Sequence, residues 1–387
     1  MIRPVPSGPR PVLCVVGARP NYVKMAPVIK AMSVACRHAP PLLVHTGQHY
    51  DPAMNDQLFA ALRLPRPAVN LEVGSGSHAV QTAEIMKRFE PVVEQHDPAA
   101  VLVVGDVNST IACALVAAKK NIPVVHVEAG LRSFDRSMPE EINRVLTDQI
   151  ADVLYTTERT ANENLSREGI ASERIVFVGN VMIDSLREHK MHAVPARETL
   201  RSAGAGEAFF RTSRFGVVTL HRPSNVDDPD VLRSLLDTLV EVSEDLPLAF
   251  TLHPRTRAKI EEFGFGFIAK SERIVLLPPQ GYLEMLGLMA AAAAVLTDSG
   301  GVQDETTALG VPCLTMRNTT ERPITIDEGT STLVGRDRNL ILRGVAEILA
   351  TGGKRGRTPE LWDGHAAQRI ASHLADWLST RALSKAA

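Results

Sequence analysis

Residues 101–128 read VLVVGDVNSTIACALVAAKKNIPVVHVE, an apolar run, a helix-length segment and a second apolar run. Val101 to Val104 ends in Gly105-Asp106, and a helix is predicted from Ser109 to Lys119 with basic residues in its last turn. Asn121-Ile122-Pro123 then delivers the chain to Val124-Val125-His126-Val127-Glu128. A strand, helix, strand unit crosses over right-handed, so the two strands run parallel. Asp106 and Glu128 therefore stand at strand carboxyl ends, where open α/β sheets bind ligands. Two carboxylates facing one crevice suit general acid and base work, since like charges held close leave one protonated and one ionised. The competing role for Asp106 is N-cap of the following helix, which Asn108-Ser109 could fill instead.

The same alternation extends in both directions and is the pattern of parallel sheets. Upstream, Val12 to Val16 leads through Gly17-Ala18-Arg19-Pro20 into a helix carrying Met25, Val28, Ile29 and Met32, and Pro41 to Val44 ends in His45. Downstream, Val153 to Thr156 and Ile175 to Val178 complete a first sheet. From Asp184 to Arg214 the apolar signal gives way to polar, Ala- and Gly-containing sequence, as at an interdomain crossing. A second series follows: Gly216 to Leu220 into His221, Leu248 to Leu252 into His253, Ile274 to Leu277, Val295 to Thr297 into Asp298-Ser299-Gly300-Gly301, and Pro312 to Met316. The alanines up to Ala294 read as the packed end of a helix, and an amphipathic helix from Ala366 to Leu378 closes the chain. The expectation is an α/β protein of two Rossmann-like, doubly wound domains facing a cleft. An N-terminal domain covers 12–183 and a C-terminal domain covers 184–362, after a disordered leader over 1–11.

Composition bounds the function. The chain has 387 residues, with Lys+Arg 42 against Asp+Glu 44 and only 4% aromatic residues. That balance supplies neither the basic footprint nor the stacking platforms of a nucleic-acid binder. Cys14, Cys36, Cys113 and Cys313 are far apart, without a C-x-x-C pair or a His at finger spacing, so no metal site is expected and they read as buried, reduced thiols. The N-terminus lacks the apolar core of a signal peptide, and Leu286 to Leu296 falls short of the ~20 residues of a membrane span. A cytoplasmic protein that uses neither membrane nor nucleic acid is the expectation.

Polar residues concentrate at the strand ends: Arg19, His45, Asp106, Glu128, His221, His253 and Ser299. Ser299-Gly300-Gly301 places small residues between a strand and a helix, where backbone N–H groups and the helix dipole favour an anion. It lacks a P-loop lysine and the G-x-G-x-x-G spacing. Glu305, on the first turns of that helix, can reach a ribose hydroxyl or simply complement the dipole. Arg19, Lys24 and Arg322 add cations suited to a diphosphate.

Several stretches carry a family resemblance: Gly17-Ala18-Arg19-Pro20, Lys24-Met25-Ala26-Pro27, Gly105-Asp106, His126-Val127-Glu128-Ala129-Gly130-Leu131-Arg132, Pro139-Glu140-Glu141-Ile142-Asn143-Arg144, His221-Arg222, Thr297-Asp298-Ser299-Gly300-Gly301 and Thr320-Glu321-Arg322-Pro323. In this order the chain resembles the non-hydrolysing UDP-N-acetylglucosamine 2-epimerases over roughly residues 12 to 380. The resemblance implies a glycosyltransferase-B-like fold, with a C-terminal helix (363–387) packing back on the first domain. It also implies a homodimer and a reaction needing no cofactor. That reaction is interconversion of UDP-GlcNAc and UDP-ManNAc by elimination of UDP to a 2-acetamidoglucal and re-addition. By the same resemblance Asp106, Glu128 and Glu140 form the acid/base set and His221 assists the leaving group. Arg19, Lys24, Ser299, Gly300, Gly301, Glu305 and Arg322 are then the residues that hold UDP; with few aromatic residues in the chain, uracil recognition falls mainly to backbone groups, with Tyr282 as the candidate side chain.

Competing readings are a 2-epimerase of another UDP-sugar, such as a diacetamido uronic acid, a hydrolysing relative releasing ManNAc, and a glycosyltransferase on the same fold. The sequence departs from the family at Asn21, where a glutamate is common, so a charge is missing there. Gln48-His49-Tyr50-Asp51 only partly matches the loop of members activated by UDP-GlcNAc at a second site, and weak or absent activation is expected.

Overall fold

The structure is a computed structural model that describes residues 9–47 and 58–386. The loop at Gln48-His49-Tyr50-Asp51 and most of the leader lie outside the described residues. Arg10, within them, is tied down by an ion pair to Asp97 at 3.0 Å, and the Pro11 carbonyl accepts from the Ala99 N–H. The chain divides into two compact units, Met1–Ser185 with Glu360–Ala387, and Leu186–Pro359.

The first unit is a seven-stranded parallel sheet in the order β3-β2-β1-β4-β5-β6-β7. Its strands are β1 (Val12–Val16), β2 (Pro41–His45), β3 (Val69–Asn70), β4 (Ala100–Val104), β5 (Val124–Ala129), β6 (Val153–Thr156) and β7 (Ile175–Phe177). Leu13, Val15, Val101, Val103, Val124 and Leu154 pack on Ala112, Cys113 and Val116 of the Asn108–Lys119 helix to form its core. Strand order reverses between β1 and β4, and the topological switch point of such a sheet is where a crevice opens. Gly17 lies at that point because nothing larger fits, a Cβ there falling 2.1 Å from Ser109 Oγ.

The C-terminal segment belongs to this unit. Trp362, 1% exposed, donates its indole N–H to the Thr157 carbonyl at 3.1 Å, and Asp184 accepts from the N–H groups of Ala366 and Ala367 at the start of the Ala366–Ala386 helix. Burial raises the Asp184 carboxyl to about 6 against the opposing pull of those two hydrogen bonds.

The second unit repeats the design with β8 (Gly216–Leu220), β9 (Leu248–Leu252), β10 (Ile274–Leu277), β11 (Ala294–Thr297), β12 (Cys313–Thr315) and β13 (Ser331–Leu333), in the parallel order β10-β9-β8-β11-β12-β13. Val218, Leu220, Phe250 and Leu296 meet Leu235, Leu236 and Leu239 of the Pro229–Asp245 helix in its core. Strands β3 and β13 escape the sequence reading because edge strands of two and three residues present no apolar run. Among the described residues no helix is long and apolar enough to cross a membrane.

Candidate active site

In the first unit, side chains from three segments gather beyond the ends of β4 and β5. The chain turns at Gly105 with φ +69, where a Cβ would lie 3.3 Å from Lys24 Nζ and 3.8 Å from Glu128 Oε1. Only a residue without a side chain combines that left-handed backbone with that proximity. Lys24, from the Arg19–Ala35 helix, ion-pairs with Glu128 at 2.7 Å, and the two side chains are 7% and 2% exposed. Glu128 itself has φ +69, at a register shift between β5 and β6. A non-glycine residue in that region costs about 1–3 kcal/mol and persists only where its surroundings impose it.

Asp106, 24% exposed, is held by Arg144 Nη2 at 2.6 Å, and its backbone carbonyl accepts from Asn143 at 2.8 Å. In place of a like-charge pair, the structure therefore gives each carboxylate its own cation. Lys24, grouped above with the UDP-binding residues, stands among the acid/base candidates. The N-cap position of the Asn108–Lys119 helix falls on Val107, one residue after Asp106.

Glu140 and Glu141 occupy the first turn of the Pro139–Ile150 helix, where carboxylates favour the dipole. Their environments separate them. Glu141 is buried and accepts from Ser133 N, Ser133 Oγ, Phe134 N and Arg144. Glu140 is half-buried. Asn21, at the departure from the family pattern, accepts from the N–H groups of Gly17 and Ala18 and donates to the Val104 carbonyl at 3.0 Å. A glutamate, which only accepts when ionised, could not make the last bond. His45 is buried against Tyr22 and Asn70 rather than presented at the strand end, and burial holds its ring below the usual histidine range. Arg19 opens its helix at the β1 turn.

In the second unit, Asp298 follows β11 fully buried and accepts from the N–H groups of His221 and Arg222, from Asn225, and from His221 Nδ1 at 2.8 Å. Burial alone would push its carboxyl up, but the facing His221 and these donors outweigh burial and hold it below the usual range. The carboxylate thus fixes the His221 ring through Nδ1, and the side chain remains 34% exposed. His253, left without a role by the sequence reading, packs beside His221 with ring centroids 5.5 Å apart and the rings tilted by 41°. Ser299 is the N-cap of the Gly300–Leu309 helix and makes no side-chain capping bond.

Gly300 leaves room for a carboxylate, since a Cβ there would lie 2.4 Å from Glu321 Oε1 and displace it. Glu321 pairs with Arg317 at 2.8 Å, and Arg322 pairs with Asp304 at 3.0 Å. The sequence reading missed Asp298, Arg144 and Glu321 as partners. A carboxylate closing the apolar run Val295-Leu296-Thr297 was the available signal for the first.

Glu305 is 5% exposed and faces Tyr282, whose ring packs edge-on to His189 at 5.8 Å. Burial, opposed by the facing Tyr282 hydroxyl and reinforced by the Asp304 charge, raises the Glu305 carboxyl to about 8. Burial and the Glu305 charge likewise raise the Tyr282 hydroxyl. A raised acid keeps its proton in the folded chain while the unfolded chain loses it. Its contribution to stability is therefore complete below the unfolded value near 4.3 and declines until pH about 8. Glu305→Gln is expected to gain stability relative to the parent across that window, by up to about 1.4 kcal/mol per pH unit, read from urea unfolding at several pH values.

Parallel doubly wound sheets with carboxylates, a histidine and cations at their strand ends define an α/β enzyme class that works on anionic, nucleotide-like ligands. The UDP-N-acetylglucosamine 2-epimerase family profile matches residues 35–375. A UDP-N-acetylglucosamine 2-epimerase homolog of Methanococcus maripaludis is 44% identical over 87% of this chain and 92% of its own length. A UDP-2,3-diacetamido-2,3-dideoxy-D-glucuronate 2-epimerase of Pseudomonas aeruginosa is 39% identical over 94% of this chain and 99% of its own. The crystal structure of Methanocaldococcus jannaschii UDP-GlcNAc 2-epimerase in complex with UDP-GlcNAc and UDP superposes with TM-score 0.83 at 38% identity, covering 94% of this chain and 99% of that one. The chain belongs to the UDP-N-acetylglucosamine 2-epimerase family, and its fold is the glycosyltransferase-B-like fold of these enzymes.

Proposed function

We propose that the protein interconverts UDP-GlcNAc and UDP-ManNAc by elimination of UDP to a 2-acetamidoglucal and re-addition, with C2 reprotonated on the opposite face. The observation that carries this reading is the pair of separately countered carboxylates, Asp106 with Arg144 and Glu128 with Lys24, at adjacent strand ends. Removing and returning a weakly acidic C2 proton needs positioned carboxyl groups of this kind, with Glu140 as the third. His221, oriented by Asp298, assists the departing diphosphate. Arg19, Ser299, Gly300, Gly301 and Arg322 are the candidates to hold the diphosphate, Glu305 the ribose and Tyr282 the base. A Glu305 that keeps its proton near neutral pH can donate to a ribose oxygen as well as accept.

Incubation with UDP-GlcNAc in D2O, followed by NMR, tests the reaction. Deuterium at C2 of a retained UDP-sugar is expected, whereas no exchange rejects the reading and free ManNAc makes the protein a hydrolase. The Pseudomonas aeruginosa relative favours one second reading, a diacetamido uronic acid sugar nucleotide as substrate. A higher kcat/KM on that compound than on UDP-GlcNAc would establish it.

We infer a cytoplasmic homodimer, with no nucleic-acid or membrane partner. Four buried free cysteines support the compartment. Ile142 and Leu146, one turn apart on the Pro139–Ile150 helix and 42% and 50% exposed, support self-association through that face. Leu146→Arg is expected to shift the protein from dimer to monomer in analytical ultracentrifugation; an unchanged mass rejects that face.

A further inference from the structure

Two buried groups beneath the acid/base set have no part in the reaction described so far. His126 on β5 and Asp148 on the Pro139–Ile150 helix are both 0% exposed. The His126 ring bonds at both nitrogens, Nδ1 to Asp148 Oδ1 at 2.6 Å and Nε2 to the Gly105 carbonyl at 2.8 Å. A carbonyl oxygen only accepts, so Nε2 donates. Asp148 also accepts from Gly130 N at 3.0 Å and pairs with Arg132 at 2.7 Å, so its carboxylate is ionised and Nδ1 donates as well. Burial alone would raise Asp148; facing His126 and Arg132 nonetheless hold it below the usual carboxylate range.

The placement of these bonds gives them consequence. His126 and Gly130 flank Glu128, and one carboxylate grips both, across the register shift where Glu128 takes its left-handed backbone. The far side of the same ring holds the carbonyl of Gly105, the residue before Asp106. Asp106 and Glu128 are thereby referred to one rigid, solvent-excluded element. Neither His126 nor Asp148 reaches the open side of the sheet end, so neither exchanges a proton with a sugar.

We propose that His126 and Asp148 are positioning residues that hold Asp106 and Glu128 in mutual register for proton transfer. This rests on the epimerase reading above. Two substitutions dissect it. His126→Asn keeps a donor near the place of Nδ1 and abandons the Gly105 carbonyl; His126→Gln keeps a donor near the place of Nε2 and abandons Asp148. Turnover and C2 deuterium exchange are measured per UDP-binding site, so that an unfolded fraction is not counted.

Both variants are expected to lose at least tenfold in kcat and in exchange, with KM and UDP Kd within about threefold of the parent. Per-site turnover within threefold of the parent in either variant overturns the proposal, because a purely structural role lowers only the number of binding sites. Should neither variant fold, NMR of 15N-histidine-labelled parent decides: a His126 ring carrying hydrogen-bonded protons on both nitrogens supports the proposal, and one bare nitrogen overturns it. A parent that exchanges no C2 proton overturns the epimerase reading and this role with it. A parent that exchanges, beside variants that match it, overturns the positioning role alone.

Discussion

Asp106→Asn is expected to lower epimerisation by about 10²–10⁴-fold while UDP binds within about threefold of the parent. The amide keeps the shape of the carboxylate and one oxygen for Arg144, which now donates to Asp106 Oδ2 at 2.6 Å, so the end of β4 should stay in place. What disappears is a group that can carry a proton. At about 1.4 kcal/mol per tenfold, the loss corresponds to about 3–6 kcal/mol of barrier. UDP affinity is spared because the groups proposed to hold the nucleotide belong mainly to the second unit. Steady-state kinetics beside UDP calorimetry checks this, and a matching loss in both would make Asp106 a binding residue.

Lys24→Met is expected to act on stability as well as on rate. The Lys24–Glu128 pair at 2.7 Å is almost wholly removed from water, and deleting one partner of such a pair costs about 3–5 kcal/mol because the other charge is left buried. Urea unfolding should show the loss in midpoint. The double variant Lys24→Met with Glu128→Gln should recover much of it, since the orphaned charge is gone, while turnover stays low because the carboxyl group has been removed. A double variant no more stable than Lys24→Met would assign the loss to packing of the lysine stem instead.

Much of the architecture is legible without coordinates because each buried parallel strand is a continuous apolar run. Val12–Val16, Val153–Thr156, Gly216–Leu220, Leu248–Leu252 and Ile274–Leu277 occur where the runs predict them. Other expectations shift by a residue or two, as at Ala100 and Ala129, because alanine carries little signal at a strand end. The closing helix continues past Leu378 to Ala386, beyond the end of the amphipathic stripe that predicted it. Positions such as Asp106, Glu128 and His221 are visible for a related reason. A polar residue ending an apolar run at a switch point has few structural uses, and the motifs around it narrow them further.

Partners were not legible in this way. Glu140 and Glu141 are identical in type and adjacent, yet burial and four donors commit Glu141 to the loop after β5. Asp148 and His126 lie 22 residues apart, and only the packing of a helix on a strand brings them to 2.6 Å. By itself, the sequence determined two doubly wound α/β halves, the polar residues that close their strands, and the family. Local periodicity and short motifs suffice for that, because they depend on neighbours along the chain. The tertiary structure alone decided which cation answers which carboxylate, where Glu128 is strained, and which buried groups brace it. Those outcomes depend on contacts between distant segments and on desolvation, which no residue's neighbours in the chain specify.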